Sequence, residues 1–173
     1  MITKFRKISH ENITKNVFKL LDKDWMLITA GNITSYNTMT ASWGGMGILW
    51  NLPVVTVYIR PQRHTFIFAE RADIFTLSFF YPEHKEILKF CGSKSGRDYD
   101  KAKETGLIPF STEHNSTAFE QAKMIIECRK IYADDIKPEK FISQQIISQN
   151  YPGKDYHRFF IGEIVNVYQK PSE

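Results

Sequence analysis

Residues 37–60 read NTMTASWGGMGILWNLPVVTVYIR, and the two ends of that stretch decide what the chain is built from. The far end, PVVTVYIR, is the clearest strand in the sequence. It is β-branched and apolar, with Pro53 at its first position, where no ladder donor is lost, and Pro61 just beyond it. The near end sets the small hydroxyl residues Thr38, Thr40 and Ser42 beside Trp43, followed by Gly44, Gly45 and Gly47. Small polar side chains next to an aromatic, on backbone that glycine lets approach closely, suit a flat, hydrogen-bonding ligand with a phosphate tail. The plainer alternative is a turn between two strands with a buried tryptophan.

Working outward, residues 12–21 place Ile13, Val17, Leu20 and Leu21 on one helical face with lysines opposite. WMLITA (residues 25–30) is a strand ended by a Gly31-Asn32 turn. Thr65 caps a short helix through Arg71, and FTLSFF (75–80) returns as a strand. Pro82 opens a helix running to Phe90, and residues 91–98 (CGSKSGRD) form a polar glycine loop. Asp98 then caps a helix that stops at Gly106. Residues 122–132 and 159–168 read as long strands, residues 138–141 as a single helical turn. The charges of residues 120–127, Glu127 included, read as a solvated face. Strands separated by short scattered helices, without βαβ alternation, predict a mostly β fold, an antiparallel barrel with peripheral helices, occupying residues 1–173 as one domain.

Two more segments have the chemistry of the first. RPQRHT sets Arg60 and Arg63 beside Thr65 at a helix start, where donors and dipole favour an anion; the alternative is a solvated turn with an ordinary cap. The 91–98 loop offers Ser93, Ser95, Lys94, Arg97 and glycine-freed amides, the makings of an anion nest or simply a surface loop. Its spacing is not that of a nucleoside triphosphate loop. Cys91 is read as a small buried thiol at a helix end rather than a nucleophile activated by Lys94 and Arg97. His157, just before the last strand, is by itself more naturally structural than catalytic.

Bulk properties narrow the classes. With 173 residues, 42% apolar and 24% charged, the chain has the composition of a globular domain with a real core. Thirteen Phe and eight Tyr favour β-rich packing. A net charge of +4, spread along the chain, is not the basic stripe of a nucleic-acid binder. No apolar run approaches the ~18 residues of a membrane span. The N-terminal MITKFRKISHEN lacks the hydrophobic core of a secretory signal, and two isolated cysteines suggest reduced thiols in a cytoplasm. Neither the cysteines nor the five scattered histidines have metal-ligand spacing.

The ordered segments WMLITAG, NTMTASWG, LWNLPVVTVYIRPQRHT, FTLSFF, CGSKSGRDYDKAKETGL, ECRKIY and HRFFIGEI resemble the flavin reductase-like family, whose domain is an FMN-binding split β-barrel. The resemblance runs from about Asn16 to Tyr168. It implies a homodimer with FMN in a groove at the subunit interface. By position, Asn37, Thr38, Met39, Thr40, Ala41, Ser42 and Trp43 would line the isoalloxazine and ribityl chain, with Arg60, Arg63 and Thr65 near the phosphate. Cys91, Gly92, Ser93, Lys94, Ser95 and Arg97 would approach the flavin edge or its phosphate, from this subunit or the other. His157 matches a histidine that in reductase members lies on the nicotinamide side; protonated, it would favour reduced flavin.

The resemblance therefore implies an oxidoreductase that uses NADH or NADPH to reduce flavin or a small acceptor. The cofactor carries that chemistry, so the lack of an acid–base pair is no objection. A flavin carrier without turnover has the same sequence features. A nucleic-acid-binding barrel would need stacking aromatics alternating with Lys or Arg on one sheet face. The aromatics of FTLSFF and HRFF are mixed with aliphatics and read as core.

Overall fold

The computed structural model describes residues 4–171. The chain begins with β1 (Arg6–Ile8) and α1 (Val17–Lys19), then β2 (Met26–Asn32), β3 (Ser35–Ala41), β4 (Gly44–Leu49) and β5 (Leu52–Ile59). Helix α2 (His64–Arg71) leads into β6 (Ile74–Phe79), α3 (Lys85–Ser93) and α4 (Lys101–Thr105). The short strands β7 (Pro109–Ser111) and β8 (Thr117–Phe119) pair with each other. Strand β9 (Met124–Asp135), α5 (Gln144–Asn150) and β10 (Arg158–Gln169) follow.

Seven strands run antiparallel in the order β3-β2-β6-β9-β10-β5-β4, and β1 adds to the last residues of β10. Strands β3 and β4 are consecutive in sequence yet lie at opposite ends of this sheet. Only Ser42 and Trp43 connect them. The result is a mostly β barrel left open along one seam, with helices on its periphery: a split β-barrel.

Side-chain alternation explains the closure. Val55, Val57 and Ile59 on β5 are buried in the barrel while Thr56 and Tyr58 alternate to the other face. Strand β2 is buried on both faces, which is why it reads as an unbroken apolar run. Met26, Ile28 and Ala30 enter the barrel core, whereas Leu27 joins a second cluster with Phe80, Leu88, Cys91 and Phe119. Phe75, Phe79 and Phe80 are all buried, so the aromatics of residues 75–80 are core and form no stacking face. Among the described residues, no helix is long and apolar enough to cross a membrane.

The structure departs from the sequence pattern in places with identifiable causes. The helix expected over residues 12–21 is broken: Asn16 accepts from the Lys19 amide and caps a new start at Val17. Strand β2 continues through Gly31-Asn32, and the Asn32 side chain closes the turn by accepting from the amides of Thr34 and Ser35. Helix α3 runs on through Cys91, Gly92 and Ser93, shortening the expected loop, and Asp100 rather than Asp98 caps α4. Gly106 ends α4 in the left-handed region, as expected. Strands β1, β3, β4, β7 and β8 and helix α5 had no clear pattern.

Glu127 overturns the solvated-face reading most fully. It is 0% exposed and its carboxylate accepts from Thr112, the His114 amide, Asn166 at 2.8 Å and the Tyr168 hydroxyl at 2.9 Å. Burial works to raise its pKa, but the hydrogen bonds from Thr112, Asn166 and His114 outweigh that and leave it lowered.

Candidate functional site

The seam of the barrel holds the site. Met39, Thr40 and Ala41 at the end of β3, the connector Ser42-Trp43, Tyr58 of β5, and Arg60, Gln62, Arg63, Asp155 and His157 line a cleft of about 380 Å³. That volume lies within the usual range for small-molecule sites. Ser42, Trp43 and Tyr58 also wall a second, more apolar cavity of about 810 Å³ with Phe18 and Leu21. Trp43 is 48% exposed, so it is a wall between two openings and not the buried tryptophan of a plain turn.

Five of the seven residues expected from β3 and its connector reach the cleft. Asn37 and Thr38 do not. The Thr38 hydroxyl turns inward, 2.8 Å from the Thr29 hydroxyl and donating to the Ile28 carbonyl at 3.2 Å. Asn37 donates to the Thr65 hydroxyl at 2.7 Å, and both side chains are buried. Thr65 is thus a clamp between α2 and the edge strand, not a cap; Arg63 occupies the N-cap position. Thr40 lines the cleft and donates to the Leu88 carbonyl of α3 at 2.5 Å. Ser42 makes no side-chain hydrogen bond among the described residues, which leaves its hydroxyl available.

The two arginines differ. Arg60 is ion-paired with Asp155, donates to the Asn150 carbonyl at 2.9 Å and stacks over the Tyr151 ring at 5.2 Å. Its charge is already balanced. Arg63 donates to the Gly92 carbonyl at 2.6 Å and, among the described residues, has no carboxylate within ion-pair distance. Burial, with Arg60 adding, depresses its pKa. An unbalanced guanidinium of this kind favours an anion.

The segment 91–97 packs against the site and mostly does not line it. Cys91 is fully buried in the second core cluster, where burial pushes its thiol up to about 11; its side chain does not reach the cleft. Gly92 supplies its carbonyl to Arg63, and Ser93 donates to the Phe90 carbonyl. Lys94 lies over the Tyr99 ring at 5.4 Å, and the Ser95 hydroxyl accepts from the Arg97 amide. Arg97 reaches back to the Gln62 carbonyl at 3.2 Å. A Cβ at Gly96 would press on the Asn37 side-chain oxygen, so a larger residue there requires the Asn37 side chain to shift.

His157 is 7% exposed. Its Nδ1 lies 2.9 Å from the Tyr151 hydroxyl, and its ring sits 5.2 Å from Trp43 and edge-on to Tyr58. Burial, with Arg60 adding, pushes its pKa down to about 4. The ring is therefore neutral at neutral pH, not in the protonated form that would favour reduced flavin. Tyr58, Gln62, Tyr151 and Asp155, which line the cleft or hold His157, had not been singled out. Tyr58 alone had a signal, its outward place in the alternation of β5. Among the described residues, no group of three or more His, Cys, Asp or Glu could hold a metal ion.

The flavin reductase-like domain model matches residues 20–173. No curated protein matches the chain. Among solved structures, an FMN-binding domain of a flavin reductase-like enzyme from Shewanella baltica is 18% identical, with a TM-score of 0.69 over 96% of this chain and 77% of that one. An FMN-binding protein from Thermus thermophilus is 21% identical, with a TM-score of 0.67 over 95% and 80%. The flavoredoxin of Desulfovibrio vulgaris is 23% identical, with a TM-score of 0.65 over 94% and 75%. These likenesses establish a common fold.

Proposed function

Because the chain belongs to the flavin reductase-like domain family, we propose that it binds FMN in the seam cleft and uses NADH or NADPH to reduce flavin or a small electron acceptor. The observation that carries the reading is Arg63, a half-buried guanidinium without a carboxylate partner among the described residues, facing the same cleft as a free Ser42 hydroxyl and Trp43. A ring system bearing a single phosphate matches that set of groups: the arginine suits the phosphate, Thr40 and Ser42 the polar edge, and Trp43 the flat face. Bound FMN would supply the two-electron chemistry.

The chain's own residues would bind and orient. Trp43 and His157 form a tilted aromatic pair that presents an apolar wall. Tyr151 fixes the ring plane of His157, and the Arg60–Asp155 pair holds the segment carrying both. Neutral His157 would position a nicotinamide by contact, since no side chain must move a proton when a hydride passes between two rings. The cleft opens on the molecular surface beside exposed Trp43, which supports a homodimer with the groove shared between copies.

A second reading is a flavin carrier without nicotinamide turnover, since the groups that line the cleft would bind flavin equally well with or without hydride transfer. An absorbance spectrum of the FMN-loaded protein before and after anaerobic NADH or NADPH separates the two. Bleaching of the flavin band beyond that of free FMN supports the reductase; no bleaching with either nucleotide supports the carrier.

A further inference from the structure

Lys101 is 6% exposed, at the first position of α4, and no carboxylate among the described residues lies within ion-pair distance of it. Its ammonium donates to two backbone carbonyls, Cys91 at 2.7 Å and Thr38 at 2.8 Å. Cys91 lies in the last turn of α3, and the next carbonyl, that of Gly92, takes the hydrogen bond from Arg63. Two cations therefore grip adjacent carbonyls at one helix C-terminus, whose partial negative charge offsets only part of theirs. Thr38 belongs to the edge strand β3, so Lys101 also covers a carbonyl on the strand that leads into the cleft. Buried charges are normally paired, and this one is left open.

We propose that Lys101 is a positioning residue for an anion: a buried cation that, through Arg63 and the shared end of α3, raises the affinity of the seam cleft for a phosphate dianion. The phosphate completes a charge balance that the chain leaves unfinished. This rests on the FMN reading of the cleft.

Cys91 on α3 and Arg63 beside α2 act on Lys101 directly, Tyr36, Tyr99 and Asp100 line one hollow with it, and His64 feels its charge together with those of Arg97 and Asp98. Burial, with Arg63 adding, pushes Lys101 down to about 8. Cys91 and Tyr36 are raised above their usual ranges, and His64 is lowered, so none of the three changes charge near pH 8. A phosphate monoester is already a dianion there. A bound dianion raises the Lys101 pKa, and binding at pH 8 must then take up protons.

The test is calorimetric titration of the wild-type protein with FMN and with riboflavin at pH 8, in two buffers of different ionisation enthalpy. A substantial fraction of a proton taken up with FMN, and none with riboflavin, is the expected result. Equal uptake for both ligands overturns the role of Lys101 while leaving the flavin site standing. Failure to bind either ligand overturns the flavin reading, and this inference with it. As a second measurement, Lys101→Met is expected to weaken FMN about tenfold more than riboflavin, a ratio that loosening of β3 alone would not change. Loss of affinity equal for both ligands would make Lys101 a structural brace only.

Discussion

The Tyr151 hydroxyl lies 2.9 Å from His157 Nδ1 and fixes a neutral imidazole against Trp43 at the mouth of the seam cleft. The cost of burying an imidazolium holds His157 near 4 against an ordinary 6.5. Between those values the unfolded chain binds the extra proton and the folded chain does not. Stability from this group is thus complete above pH 6.5 and falls away as pH drops towards 4, by at most about 3 kcal/mol. The ring signals of His157 in NMR are expected to show no titration from pH 8 down to pH 5. Titration near 6.5 would contradict the buried, neutral state.

His157→Ala is expected to slow anaerobic flavin reduction tens-fold, on the order of 1–3 kcal/mol, by removing an orienting wall. FMN affinity should hardly change, because the phosphate and the polar edge are held by other residues. Stopped-flow reduction by NADH and NADPH reads the first quantity and fluorescence quenching the second. An unchanged reduction rate would make the histidine structural.

Arg63→Ala should cost FMN binding roughly ten- to a hundredfold, the ~1.5–3 kcal/mol of a charge-assisted hydrogen bond. Riboflavin, which lacks the phosphate, should lose far less. Arg60→Ala is expected to behave differently, since Arg60 is already paired with Asp155, and to loosen the 150–157 segment for both ligands. Parallel titrations of the two variants with the two flavins make the comparison.

A homodimer is expected at micromolar concentration, with the exposed face of Trp43 covered. Sedimentation in the presence of FMN checks the state, and tryptophan fluorescence should shift on dilution into monomer. A monomer that still holds FMN would rule out a shared groove.

Glu127→Ala should lower stability by about 3 kcal/mol or more, because it leaves the donors of Thr112 and Tyr168 buried without an acceptor. Glu127 titrates below its ordinary value in the fold, so its contribution is present above about pH 4.5 and is lost as pH falls through the lowered value. Chemical denaturation of wild type and variant from pH 7 to pH 3 should show the difference shrinking at the acid end.

Sequence by itself determined the strands whose side chains follow one rule along their whole length. In PVVTVYIR every second residue enters the barrel, and in WMLITA both faces are buried, so local pattern and tertiary role agree. Sequence also singled out Thr40, Ser42, Trp43 and Arg63, which the fold brings to one cleft, whereas Gly44, Gly45 and Gly47 belong to β4 and do not line it. What only the tertiary structure decided is how charges and edges are satisfied. Strand β3 carries no apolar alternation because its buried polar side chains and backbone are satisfied at long range, by Asn37–Thr65, Thr40–Leu88 and Lys101–Thr38, contacts spanning 28, 48 and 63 residues. Glu127 looks like a surface charge until residues 112–114, Asn166 and Tyr168 are folded around it. Arg60 and Arg63 stand three residues apart with the same side chain, yet Asp155 neutralises one, while the other, among the described residues, meets the Gly92 carbonyl and no carboxylate. Partners so distant in sequence are chosen by the closure of the sheet, and no local pattern encodes which cation finds a carboxylate and which does not.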